Sequence, residues 1–408
     1  MQGLYGPFTF SEKLLQQIWA RGDFNQTDLR TTDGRCLQVL QAGRWKRLGG
    51  PDFKAARLRF DDGREITAAV ELHLRADDWI VHRHAQDRAY DQVKLHVVLF
   101  PPATEHSTRD AQGRKIPVLL PLLHHDLEEY AAEAAIEGLA GRPLAKAVEG
   151  LRHFSPAELQ SELWTQAESR WRQKVHFALL RITKLGWEQA CHHAALEILG
   201  YRFNRAPMLK LAARYPLSDW VGGVAAADYR FAEEQGQWCL QGVRPANHPR
   251  MRLRQYAVWA AAMPDWPKQL LESADQLPLL PTATATAKMR RQYRLGALRT
   301  GWARRISTET VGGTRLDNLV CDGWLPLLTA CPGRNLGGLW QHWFPGDLPP
   351  SLTRALRELG VFAGRNHPAC HGTVQGLLGH MLVQEMHNAH GPAESPRLRG
   401  LTSFAADQ

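Results

Sequence analysis

No run in this chain of 408 residues approaches the ~20 consecutive apolar residues that a membrane-spanning helix needs, so no membrane association of that kind is expected. The first residues show no basic segment followed by an apolar core, and no signal peptide is expected. Cysteine is sparse. The six present (Cys36, Cys191, Cys239, Cys321, Cys331 and Cys370) form no C-X-X-C pair, which argues against a zinc ribbon. Their wide, irregular spacing is not that of a disulfide framework, so reduced thiols and a cytoplasmic location are the expectation. The absence of any fixed-period repeat or low-complexity tract argues against a solenoid and against long disordered segments.

What is there is an ordinary folded composition, 44% hydrophobic and 22% charged, at a length that suits two or three domains. Lys and Arg outnumber Asp and Glu by 50 to 41, a formal charge of +9. Such a surplus suits an anionic partner, with nucleic acid (DNA or RNA) first, although a plain basic soluble protein has the same balance. A protein partner or a homo-oligomer stays open.

Periodicity divides the chain. Residues 1–125 read mostly as strands, 126–275 as helices, and 288–408 as a second helical module, separate from the first or continuous with it. A Pro- and Thr/Ala-rich connector, 277–286, lies between them. The expected class is α+β, an N-terminal mixed sheet with flanking helices followed by a mainly α-helical C-terminal half. Helical periods cover Leu127–Leu139, Ser155–Leu185, Trp187–Leu199, Ala206–Tyr215, Pro249–Ala262 and Gly372–Met386. Ser155-Pro156-Ala157-Glu158 is an N-cap signature, and Gly186 is a natural break between the helix it opens and the one resuming at Trp187.

The residues with chemistry concentrate between Gly49 and Val98. Upstream, Ser11 caps a helix with Leu14, Leu15, Ile18 and Trp19 on one face and Glu12 in its first turn. Asp33-Gly34 closes a hairpin. Gly49-Gly50-Pro51 makes a corner that sets Asp52 at the mouth of a strand, which then alternates through Phe53, Ala55, Arg57 and Arg59. After a turn at 61–64 the next strand puts Ala69, Glu71 and His73 on one face and Val70, Leu72 and Leu74 on the other. Asp52 and Glu71 can therefore converge on one point, the way a hard divalent cation is held. A buried structural Glu71–His73 pair is the plainer alternative.

Beyond Asp77-Asp78-Trp79 the pattern predicts a helix carrying His84, Gln86, Asp87, Tyr90, Asp91 and Lys94, with Gln86 and Tyr90 on one face. An apolar strand, 95–100, and a short edge strand, 115–121, come after it. His82 and His84 come together only if their segment is extended. With His73 and His96 they make the region rich in imidazole, and each is either a ligand or catalytic group or an ordinary hydrogen-bonded histidine.

Pro51-Asp52, a spacer, and Glu71-Leu72-His73 resemble the PD-(D/E)XK nuclease superfamily, the restriction-endonuclease-like fold, with histidine where that superfamily has lysine. The longer run is similar to a family of uncharacterised bacterial proteins that carries a domain-of-unknown-function label and a nuclease-like N-terminal half. That run comprises Gly50-Pro51-Asp52-Phe53, Val70 to His73, Asp78-Trp79, His82-X-His84, Asp87, Tyr90 and Leu95 to Val98, with Arg244-Pro245-Ala246-Asn247 further on. The resemblance implies a metal-dependent nuclease or related phosphodiesterase in residues 1–125, with Asp52, Glu71 and His73 catalytic. It also implies a divalent cation held by Asp52, Glu71 and the carbonyl of Leu72, with Glu12 supplying a further contact. Gln86 and Tyr90 match a feature of the recombination-nuclease branch.

The bound ion would neutralise phosphoryl charge and acidify a water. His73 fits as general base, its reference pKa being about 6.5. As a ligand it would shift preference from magnesium or manganese toward zinc or iron. Lys54 or Lys94 can fill the lysine's role instead. Accessory candidates are thus Glu12, Lys54, His82, His84, Gln86, Asp87, Tyr90 and Lys94. A dense basic junction at Arg244, Arg250, Arg252 and Arg254 suits phosphate contact, or else a structural junction capped by Asn247. Two further functions stay open: an inactive nuclease-like module that binds nucleic acid or protein, and a His-rich metallohydrolase of a small phosphorylated molecule.

Overall fold

The computed structural model describes residues 12–390 except 25, 27–28, 47–48, 62, 101–106, 122–129, 131–147, 241–242, 244, 283–284, 332–333, 349 and 363–366. The expected cap Ser11 and the helix Leu127–Leu139, apart from Tyr130, lie outside the described residues.

Helix α1 (Glu12–Arg21) buries Leu14, Leu15, Ile18 and Trp19, the stripe its spacing dictates. It packs on a sheet built from β1 (Leu29–Arg30), β2 (Cys36–Gln41), β3 (Arg44–Trp45), β4 (Phe53–Phe60), β5 (Glu65–Arg75), β6 (Val93–Phe100) and β7 (Val118–Leu119). Strand order is β1-β2-β4-β5-β6-β7, with β3 also on β4. The early pairs are antiparallel, whereas β5, β6 and β7 run parallel. A bridge from Thr31 to Leu119 joins the two edges, so the sheet curls until it meets itself. Val70, Leu72, Leu95 and Val97 are buried with α1 in one apolar cluster. Glu71 and His73 alternate with them, so they face the other way.

The simple alternation expected along β4 fails. Phe53 pairs with Val70 but Ala56 pairs with Ala68, a one-residue bulge, and Ala55 sits in the left-handed region at φ 57°. Phe53, Ala56 and Leu58 are the residues that enter the α1 core, not Ala55 and Arg57. Gly43 makes room for the bulge: at φ 92°, a Cβ there would lie 2.9 Å from both Ala56 N and Lys54 O.

The predicted helix between β5 and β6 is also absent. Helix α2 is a single turn, Asp78–Val81, succeeded by two 3₁₀ turns at His84–Gln86 and Arg88–Tyr90. Arg83, at φ 57° and ψ 32°, reverses the chain and stops α2 from continuing. Gln86 and Tyr90 therefore share no helical face.

The helical half begins with the Ser155 capping box, in which Glu158 N donates to Ser155 Oγ and Ser155 N to Glu158 Oε2. The 156–199 helix breaks at Gly186 (φ 75°, ψ 166°), where glycine is required. The break folds the two segments toward each other, and Arg181 pairs with Glu197 at 2.5 Å. One tryptophan-rich core runs from Ala167 to Trp343, drawing on both helical stretches that flank the connector. A smaller core joins Leu159 and Leu163 to 352–382. No helix among the described residues is long and apolar enough to cross a membrane.

Candidate metal centre

Asp52 and Glu71 meet where the start of β4 lies against the middle of β5. Asp52 N donates to Glu71 Oε2 at 2.9 Å, and Leu72 N donates to Asp52 Oδ2 at 3.0 Å. Gln16, on α1, gives its amide to Asp52 Oδ1 at 2.6 Å. Both oxygens of Asp52 and one of Glu71 thus have protein donors. Burial first, then the Asp52 charge, pushes the Glu71 carboxyl up to about 9. Glu12 joins from α1, raised to about 7 by burial and then by Asp78 and Asp52. Asp52 itself is raised, chiefly by burial.

The remaining oxygen of Glu71 faces imidazole. Glu71 Oε1 lies 3.5 Å from His84 Nε2 and 3.7 Å from His73 Nε2. His73 Nε2 is 3.2 Å from His82 Nδ1 and 3.3 Å from His84 Nε2. The candidate ligand atoms of His73, His82 and His84 all lie within 4.8 Å of one another, so this triad could hold a metal ion. His82 and His84 converge through the left-handed turn at Arg83, not through an extended segment. His73 and His84 are buried and His82 is exposed.

Behind the triad, His73 Nδ1 is 2.9 Å from His96 Nε2, and His96 Nδ1 is 2.8 Å from Thr108 Oγ1. Trp79 walls the cluster, its ring edge-on to His73 and His84, and Tyr90 stacks on His84 with centroids 3.9 Å apart. Burial, reinforced by His96, His84 and His82, holds His73 neutral with its pKa down to about 2. His84 falls to about 4, from burial and then His82. The Tyr90 phenol rises to about 12, from burial and then the Glu71 and Asp52 charges.

The other candidates stand apart. Asp87 accepts from Ala89 N and shapes the turn before Tyr90, and Gln86 is exposed. Lys94 Nζ donates to Asp91 O, while Lys54 reaches toward Gly50. Arg244 lies outside the described residues. Arg250 and Arg254 both clasp Asp228, at 2.9 and 2.6 Å, and Arg252 is buried against Asn247 and Gln255. His248, not Asn247, caps the Pro249–Ala262 helix. Gln16 and Thr108 were not anticipated. Gln16 is one helical turn from Glu12, a spacing that could have pointed to it. Nothing local in the sequence marks Thr108.

A curled mixed sheet with carboxylates and imidazoles gathered on it, joined to a tryptophan-rich helical half, defines a two-part α+β protein with a candidate metal centre. The chain belongs to the protein family of unknown function DUF2851, whose model matches residues 12–221. That span takes in the whole sheet and the first long helix. No curated protein and no solved structure matches the chain.

Proposed function

We propose that the protein is a metal-dependent phosphodiester hydrolase acting on nucleic acid, with its centre at Glu71. The observation that carries this reading is the Asp52–Glu71 contact at the mouth of adjacent strands, with an imidazole on the same strand two residues away. The mixed sheet, with α1 on one face and α2 on the other, agrees with the resemblance to the PD-(D/E)XK superfamily. Three carboxylates whose pKa values are raised chiefly by burial, Glu12, Asp52 and Glu71, form a place where a cation would offset the cost of burying their charge. A cation held there would neutralise phosphoryl charge and acidify a water.

The donor set bears on which ion that is. Magnesium or manganese fits Asp52, Glu71 and the Leu72 carbonyl, with each Asp52 oxygen also accepting one hydrogen bond, from Gln16 or Leu72 N. Glu71 Oε1 is the oxygen left over, and it faces nitrogen. That favours zinc or iron. The same nitrogen-rich surroundings favour, as a second reading, a metallohydrolase of a small phosphorylated molecule.

The test is cleavage of single-stranded, linear and nicked nucleic acid, and of small phosphodiesters, under magnesium, manganese and zinc in turn. Cleavage that Glu71→Gln and Asp52→Asn abolish supports the proposal. Hydrolysis of small diesters alone selects the second reading. Salt-sensitive nucleic-acid binding without turnover under any ion would leave a non-catalytic binding module.

A further inference from the structure

We infer that Glu71, His73, His82 and His84 form a four-ligand site for a borderline divalent transition metal of the zinc class, with His96 and Thr108 orienting His73. The inference deepens the hydrolase reading through Glu71, but it concerns binding and is measured without substrate.

Four of the six distances between the ligand atoms are near those of a coordination tetrahedron. With metal–nitrogen bonds of about 2.0–2.1 Å, the edges of a tetrahedron are about 3.3–3.4 Å. Four edges of the cluster are 3.2, 3.3, 3.5 and 3.7 Å. The exposed His82 has the freedom to close the remaining ones.

Proton bookkeeping points the same way. The contacts of His96 Nδ1 with Thr108 Oγ1 and of His73 Nδ1 with His96 Nε2 accommodate a chain in which His96 Nδ1–H donates to the hydroxyl and His73 Nδ1–H donates to His96 Nε2. That assignment leaves His73 Nε2 as a bare lone pair. One in-plane lone pair cannot serve two neighbouring imidazole nitrogens at 3.2 and 3.3 Å, whereas a cation at their common centre satisfies all three rings. Metal-bound histidines characteristically donate their other N–H to such an outer partner. Nitrogen donors disfavour magnesium and calcium, which seek oxygen. Trp79 and Tyr90 wall His73 and His84, while His82 closes the site from the solvent side.

The experiment uses the full chain, stripped with chelator and titrated with zinc by calorimetry and with cobalt(II) by visible absorption. One ion per chain with a tetrahedral cobalt spectrum is expected. His82→Ala lies on the surface and leaves the fold intact by circular dichroism, so its loss of affinity, about tenfold or more, is read cleanly. His96→Leu should weaken binding about 10–100-fold and alter the cobalt spectrum, with His96→Gln restoring both. No stoichiometric zinc or cobalt, or an affinity that His82→Ala leaves unchanged, overturns the site. An unchanged spectrum and affinity in His96→Leu overturns the orienting role. Metal binding without hydrolysis would overturn the proposed function alone. Magnesium-supported cleavage that survives His82→Ala, with no zinc bound, would overturn this inference alone.

Discussion

The backbone amide of Asp52 holds one oxygen of Glu71 at 2.9 Å and leaves the other, Oε1, 3.5 Å from His84 Nε2. A single carboxylate therefore links the acidic side of the cluster to the imidazole side. Substituting it should damage both. In the hydrolase reading, Glu71→Gln keeps the shape and lowers turnover about 10²–10³-fold, the scale of losing one preorganised electrostatic group. Steady-state rates under saturating metal check this, and wild-type rates would sink it.

In chelator, stability should depend on pH in two opposed ways. Glu71 has a folded pKa raised to about 9, so its contribution is whole below the unfolded carboxyl range and is lost as pH rises toward 9. His73 and His84 are lowered to about 2 and 4, so theirs is whole above about 6.5 and is lost as pH falls. Urea midpoints measured from pH 5 to 9 should fall less steeply with rising pH in Glu71→Gln, across that whole range. A steeper fall in that variant would contradict the assignment.

Gly43→Ala should destabilise the fold by about 1–3 kcal/mol, because the added carbon meets backbone on β4 at a φ that L-residues avoid. Thermal melting is the readout. Metal affinity should fall as well if the bulge sets the position of Asp52, and an unaltered midpoint would show that the bulge relaxes freely.

Asp228 neutralises both Arg250 and Arg254. If nucleic acid is the partner, Asp228→Asn should free two cations and steepen the dependence of log affinity on log salt by about one to two. Arg254→Ala alone should change that slope little. The reverse pattern would mean that the arginines already contact phosphate.

Much of the candidate site could be read from period two alone, because Val70 and Leu72 demand the core and so turn Glu71 and His73 to the opposite face. The α1 stripe, the Ser155 capping box and the break at Gly186 were legible for the same reason, since each is written in adjacent letters. What escaped depends on conformations that side-chain identity does not announce. Ala55 and Arg83 adopt left-handed angles without being glycine, and each re-aims the residues around it. The first displaced the alternation of β4, and the second replaced a helix with the turn that joins His82 to His84. The pairing of Arg250 and Arg254 with Asp228, across more than twenty residues, is a tertiary fact. Composition could show the cations but not their counter-ion.

The bridge between Thr31 and Leu119 has a bearing on how other molecules meet this protein. With β1 and β7 each two residues long and drawn together, the described sheet offers an incoming peptide no long row of unpaired amides on which to extend it. Strand addition, whether by a peptide or by a second copy of the chain, is disfavoured at that seam.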